Sequence, residues 1–189
     1  MDVDPALVRA CQRGEPGAMD ALIRGTYADV FALCRRLLGD DVDAANATQE
    51  AYVRVVRSVL GFRGEPAFGT WLHRVTVNVC ATALRKRGDV RARGQSAGWS
   101  AFAAPDSDDE LPASGVGPEA AAENADFADR AARALAMLPP DAREVVVLRD
   151  VQGLSTREAA VVLGISEGAV KVRLHRAHVR LRELVEAGT

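Results

Sequence analysis

Hydrophobic residues recur every three or four positions along the first ninety residues, which is the period of an amphipathic helix. The pattern predicts four helices, at about 5–13, 18–38, 42–60 and 68–87. In the third helix, the side chains expected to point toward the core are Tyr52, Val55, Val56 and Val59. Gly61–Pro66 should form a loop, because its glycines and its proline interrupt a regular hydrogen-bond ladder.

The pattern changes in the second half of the chain. Residues 91–117 are rich in Gly, Ser, Ala, Pro and acidic residues and have no sustained period, which predicts a flexible linker. Helical spacing returns over 118–138, and Asp141 is the predicted N-cap of a further helix, since its carboxylate can accept from free backbone N–H groups. The chain is therefore predicted to be all-α, with two small helical domains at 1–90 and 118–189.

Composition agrees with packed helices, because 48% of the residues are hydrophobic and only 5% are aromatic. The formal net charge of −2 excludes nucleic-acid binding through overall positive charge, so any contact with DNA must come from local basic clusters. Cys11, Cys34 and Cys80 lack the spacing of zinc ligands or of a redox pair. We expect them to be small buried residues in a reducing cytoplasm.

The sequence shows no recognisable catalytic constellation. No Ser-His-Asp, metal-ligand or phosphate-loop pattern appears, which argues against an enzyme and against a bound metal or cofactor. The acidic start and the lack of an apolar run of about 20 residues argue against a secretion signal and against membrane insertion. We expect a cytoplasmic protein without cofactors.

Residues 155–183 have the pattern of a helix-turn-helix. Ser155 and Glu158 have the spacing of a capping box at a helix start, and Gly164 ends that short helix. The longer second helix has an apolar stripe at intervals of four and three, formed by Val170, Leu174, Ala177, Leu181 and Leu184.

The other face of this second helix is basic, with Ser166 and Glu167 at its start and then Lys171, Arg173, His175, Arg176, Arg180 and Arg182. Such a face is usually only solvated. In the second helix of a helix-turn-helix, however, the N-terminal half lies in the major groove, where Lys and Arg reach phosphates or guanine edges. We therefore interpret these residues as a DNA-reading surface.

Three segments in order resemble a known family. Residues 62–78, FRGEPAFGTWLHRVTVN, are similar to the promoter-melting segment of extracytoplasmic-function sigma factors, and a basic helix end follows at 85–87. Residues 43–52 resemble the polymerase-binding helix of that family, and residues 166–177 resemble the helix that reads its upstream promoter element.

The resemblance implies a role for particular side chains. Contacts to the −35 element would come from Ser166, Glu167, Lys171, Val172, Arg173, His175 and Arg176. Contacts to the −10 element would come from Phe62, Arg74, Asn78, Arg85, Lys86 and Arg87. Contacts to the polymerase would come from Asp43, Asn46, Gln49, Glu50 and Arg54.

The implied partners are core RNA polymerase, through the clamp helices of its largest subunit and the flap of its second-largest subunit, promoter DNA and an anti-sigma factor. Phe62 would receive a base flipped from the −10 element, with a loop anchor packed into the core as the alternative. Asn78 would bind a base edge or be a structural amide. Trp71 is expected in the core. The alternative function is a stand-alone helix-turn-helix regulator, which has no need of the 62–78 segment.

Overall fold

The computed structural model of the chain describes residues 1, 3–91 and 130–187. Within these ranges every regular element is helical, which confirms the predicted all-α class. The elements are α1 (Pro5–Gln12), α2 (Ala18–Leu38), α3 (Asp41–Ser58), a 3-10 turn (Val59–Gly61), α4 (Phe68–Arg91), α5 (130–137), α6 (Pro140–Val146), a π-helical turn (Val147–Val151), α7 (Thr156–Leu163) and α8 (Glu167–Ala187).

The predicted linker at 91–117 lies outside the described residues, except for residue 91. The same holds for most of the helix predicted over 118–138, of which the structure describes the helical end, 130–137. The division into domains at 1–90 and 118–189 stays a prediction.

Helices α2, α3 and α4 pack around one core in the first half of the chain. Val30, Leu33, Val55 and Leu72 have at most 1% of their surface exposed. Gly39 ends α2 at a φ of 71°, a left-handed conformation that glycine adopts without steric cost. The three cysteines are free and buried, as the sequence predicts.

One predicted core position of α3 is wrong. Val56 is 46% exposed, whereas Val55 is fully buried. The buried stripe of α3 is centred on Ala44, Thr48, Ala51 and Val55, and the rotation of about 100° per residue turns Val56 away from the centre of that stripe. Val56 lies instead at the edge of the buried stripe, beside the exposed Val53.

The second half is the predicted helix-turn-helix. Ser155 accepts from the backbone N–H of Glu158, and the Glu158 carboxylate accepts from the backbone N–H of Ser155, which confirms the capping box. Gly164 ends α7 with a φ of 67°. Asp141 is not the N-cap of α6, because that helix begins one residue earlier, at Pro140, and Pro139 is the cap.

The two halves touch through α4 and α7. His73, only 2% exposed, lies with its Nε2 3.1 Å from the side-chain oxygen of Gln152. Thr70 donates to the Glu158 carboxylate across 3.4 Å. Burial lowers the pKa of His73, which favours the neutral ring.

Arg143 of α6 adds a second contact between the halves. Its guanidinium donates to the backbone carbonyls of Leu37 on α2 at 2.7 Å and of Leu135 and Leu138 at 3.0 and 3.1 Å. Desolvation lowers the pKa of Arg143, and these carbonyls compensate the buried charge. Arg143 thus joins the end of α2 to the helix-turn-helix half.

Candidate nucleic-acid and polymerase interfaces

The loop after the 3-10 turn presents Phe62 at the edge of an aromatic cluster. Its ring is half-buried, perpendicular to Phe68 at a centroid distance of 5.3 Å and tilted against Trp71 at 5.4 Å. Trp71 is half-buried, so it belongs partly to the core, as predicted, and partly to this cluster. Phe62 therefore combines packing with a partly accessible ring, and both of its predicted readings remain physically possible.

A side chain that the sequence interpretation missed holds this loop. Gln12, the last residue of α1, donates from its amide nitrogen to the carbonyls of Val59 at 3.1 Å and Phe62 at 2.7 Å. The backbone N–H of Phe62 also donates to Val59, at 3.1 Å. The contact joins residues almost fifty positions apart, so no local pattern in the sequence could reveal it.

Helix α4 presents polar side chains to solvent beside this loop. Arg74 and Asn78 are exposed and lie one helical turn apart on the same face. Arg85 and Lys86 are exposed further along the helix. Because the side chain of Asn78 is exposed, it is accessible to a ligand, in contrast to a buried structural amide.

Two residues with different predicted partners meet each other. Arg87 forms an ion pair with Asp43 of α3 and donates to the carbonyl of Leu38 at 3.1 Å. Asp40 lies 4.0 Å from the same guanidinium. Arg87 and Asp43 thus join α4 to α3 in this structure, and any external contact that either makes must compete with this pair.

The other predicted polymerase residues share the outer surface of α3. Asn46, Gln49 and Glu50 are exposed, and Glu50 accepts from Arg54 at 2.8 Å. An open apolar groove lies next to them between α2 and α3. Its lining residues are Ile23, Tyr27, Gln49, Tyr52, Val53, Val56 and Arg57.

The apolar lining of this groove was also missed by the sequence interpretation. Tyr27, Val53 and Val56 are each more than 40% exposed. The available signal was Val53, an apolar residue outside the predicted inward stripe of α3. Exposed apolar side chains that adjoin exposed polar ones are typical of a surface that binds another protein.

The first turns of α8 are accessible. Ser166 accepts from the backbone N–H of Ala169 at 3.1 Å, so its hydroxyl stabilises the helix start. Ser166, Glu167 and Lys171 are exposed. The remaining predicted contact residues are half-buried, namely Val172, Arg173, His175 and Arg176.

The positive charge of Arg173 influences a half-buried acid of α6, Glu144. Desolvation and then the nearby Asp141 raise the pKa of Glu144 to about 7, while the positive charge of Arg173 lowers it. The guanidinium of Arg173 is therefore close to a group that is partly protonated near neutral pH. The structure brings the predicted DNA-reading residues together along α8 and the residue before it, Ser166.

The described part of the chain has neither a metal-binding cluster nor a membrane-spanning helix. No group of three or more His, Cys, Asp and Glu there could hold a metal ion. Among the same residues, no helix is both long enough and apolar enough to span a bilayer.

Comparison with known families agrees with this geometry. Residues 22–90, which include α3, the Phe62 loop and α4, match the sigma-70 region 2 family. Residues 128–181, which include the helix-turn-helix, match the sigma-70, region 4 family. The helical fold and the two matched regions thus define a sigma factor of the sigma-70 class.

Individual relatives narrow the class. The chain is 36% identical over 173 residues to the ECF RNA polymerase sigma factor SigE of Mycolicibacterium smegmatis, with 90% of this chain and 63% of SigE covered, so it spans less than two thirds of that relative. It is 33% identical to the ECF sigma factor SigM of Mycobacterium tuberculosis, covering 96% of this chain and 84% of SigM. The chain belongs to the extracytoplasmic-function (ECF) group of RNA polymerase sigma factors.

Solved structures show the same fold. CnrH in complex with the cytosolic domain of CnrY matches with a TM-score of 0.69 and 24% identity over the whole of both chains. The sigma factor RpoE in complex with the anti-sigma factor NepR from Bartonella quintana matches with a TM-score of 0.64 and 21% identity, over 90% of this chain and 98% of that one.

Proposed function

We propose that this chain directs core RNA polymerase to specific promoters, reads the −35 element with α8 and melts the −10 element with the Phe62 loop and α4. The observation that carries the proposal is the placement of a partly accessible aromatic ring beside the exposed polar face of α4. Opening DNA requires a surface that prefers unstacked bases, and stacking on an aromatic side chain contributes about 1–3 kcal/mol per base. Arg74, Asn78, Arg85 and Lys86 add phosphate attraction and base-edge hydrogen bonds along the same helix.

The surface of α3 is proposed to bind the clamp helices of the largest polymerase subunit. Asn46, Gln49 and Glu50 supply polar contacts, and the adjoining apolar groove supplies area that becomes buried on binding. Exposed ion pairs such as Glu50–Arg54 contribute little to stability, so this pair can be exchanged for contacts with a partner at low cost.

The first turns of α8 are proposed to enter the major groove of the −35 element. Glu167 and Lys171 are exposed at the end of the helix that enters the groove, where a carboxylate accepts from cytosine and an ammonium donates to guanine. The helix-turn-helix half is further proposed to contact the flap of the second-largest subunit.

An anti-sigma factor is proposed as the regulator of this chain. The support is the fold, which matches that of a sigma factor solved in complex with the anti-sigma factor NepR. A stand-alone helix-turn-helix regulator is the alternative, and it would not bind core polymerase.

The test of promoter melting is to replace Phe62 by Ala and by Leu in the full chain bound to core polymerase. Leu restores apolar volume in the cluster with Phe68 and Trp71 but has no aromatic face. If a flipped base stacks on Phe62, both variants should lose about ten- to a hundredfold in open complex, which corresponds to the stacking free energy of about 1–3 kcal/mol. Permanganate reactivity of unpaired thymines measures opening, and a gel shift measures the closed complex.

A template with a mismatched −10 region provides the control, because its bases are already unstacked and it should recover part of the activity. Recovery of opening by Phe62→Leu on the fully paired template would contradict the stacking role and favour a loop anchor. Equal losses in opening and in closed-complex formation would do the same.

A further inference from the structure

Gln12 connects α1 to the loop that is proposed to receive the flipped base. Its amide nitrogen has two N–H groups, and both are used by the carbonyls at the two ends of the 3-10 turn, Val59 and Phe62. No other side chain in the described ranges donates to a carbonyl of residues 59–62.

These hydrogen bonds set the direction of the Phe62 peptide. The turn spans only three residues, the backbone N–H of Phe62 donates to the carbonyl of Val59 at 3.1 Å, and the loop continues into Gly64 at a φ of 86°. A short turn followed by glycine has many accessible conformations when nothing external fixes it. The Gln12 amide fixes the carbonyl of Phe62 and so restrains the backbone of the residue that carries the ring, while Phe68 and Trp71 pack against the ring itself.

Helix α1 is a suitable support for this contact. Val8 and Cys11 of α1 are buried in the core with at most 5% exposure, so the end of the helix has a defined position. Gln12 itself is half-buried, and its hydrogen bonds are partly protected from competing water.

We infer that Gln12 is a positioning residue for promoter melting: it orders the Phe62 loop before the base arrives, and α1 is thereby part of the −10 binding site. The inference rests on the proposed function, because it takes Phe62 as the receptor of the base. Ordering the loop in advance lowers the entropic cost of binding the single strand.

The experiment uses the full chain with core polymerase and a fluorescent single-stranded −10 oligonucleotide, with binding measured by anisotropy. Gln12→Met keeps the length of the side chain and removes both donors. We expect it to weaken binding about fivefold to tenfold, as the loss of one or two net hydrogen bonds predicts. Gln12→Glu should weaken binding further, because a carboxylate then faces two carbonyl oxygens. Arg13→Gln, which changes the adjacent exposed residue, should leave binding unchanged.

Combining Gln12→Met with Phe62→Ala separates positioning from a general effect on the fold. If Gln12 acts through Phe62, the double variant should bind no more weakly than Phe62→Ala alone. Additive losses would overturn the inference, as would unchanged binding by Gln12→Met. If Phe62→Ala itself binds as the unaltered chain does, the proposed role of Phe62 fails instead.

Thermal unfolding shows whether Gln12→Met still folds. If it does not, Gln12→Lys and Gln12→Glu provide the comparison, because Lys retains a donor and should bind better than Glu. Equal weakening by Lys and Glu would overturn the inference, because the effect would then not depend on donation.

Discussion

The half-buried acid of α6, Glu144, gives a quantitative test of the packing in the helix-turn-helix half. Desolvation by the surrounding core is the main reason that the pKa of Glu144 rises from 4.5 to about 7, and the negative charge of Asp141 adds to it. A rise of this size penalises the charged form by about 3 kcal/mol relative to an exposed carboxylate. The protein is then expected to tolerate Glu144 only at the expense of stability at alkaline pH.

The sign follows from linkage. A raised pKa in the folded state means that folding takes up a proton, so the contribution of Glu144 is fully favourable below pH 4.5 and is lost as the pH rises through about 7. Glu144→Gln keeps the shape and removes the charge. The stability difference between Glu144→Gln and the unaltered chain is the free energy of unfolding of the variant minus that of the unaltered chain. This difference should be about 2–3 kcal/mol larger at pH 8 than at pH 5.

Urea unfolding followed by circular dichroism, repeated at several pH values, measures this difference. Asp141→Asn removes the neighbouring negative charge that helps to raise the pKa of Glu144. In this variant the pH at which stability falls should therefore be lower than in the unaltered chain. Glu183→Gln, which removes an exposed carboxylate, serves as the control. Parallel curves for Glu144→Gln and the unaltered chain would refute the reasoning and show that water reaches Glu144.

Two further predictions concern the proposed interfaces. Replacing both Gln49 and Glu50 by Ala should weaken binding to core polymerase in a co-purification or titration assay, whereas Asp20→Ala, which breaks a comparable exposed ion pair on α2, should not; equal effects would misplace the polymerase surface. Lys171→Ala should weaken recognition of the −35 element by about 1–3 kcal/mol if it contacts a base, in footprints compared with those of Arg182→Ala near the other end of α8. A loss shared by all DNA sequences would assign Lys171 to a phosphate instead.

Local signals in the sequence predicted much of this fold. The Ser155 capping box and the Gly164 helix end depend on residues at most a few positions apart, and both are found in the structure. Helix limits failed where two local signals compete. Asp141 is a good cap by itself, but Pro140 is better suited to the first helical position, where a missing N–H costs nothing.

The contacts within the candidate site could not be predicted from local sequence patterns, because they join residues that are far apart in the chain. The pairing of Arg87 with Asp43 and the contact of Gln12 with Phe62 have no periodic signature. The resemblance identified the family, which the two matched regions confirm, whereas the roles of its segments stay predictions and the hydrogen bonds within the site are visible only in the structure.

The contact between α4 and α7 limits how this chain can lie on DNA. The −35 and −10 elements are about 25 base pairs apart, which is about 85 Å along B-form DNA at 3.4 Å per base pair. While α4 touches the helix-turn-helix half through the contacts His73–Gln152 and Thr70–Glu158, the two proposed DNA-reading surfaces cannot occupy both elements at once. If the chain reads both elements at once, as proposed, the two halves must separate, and the free energy of the contacts at His73, Thr70 and Arg143 would then oppose that proposed binding until a partner replaces them.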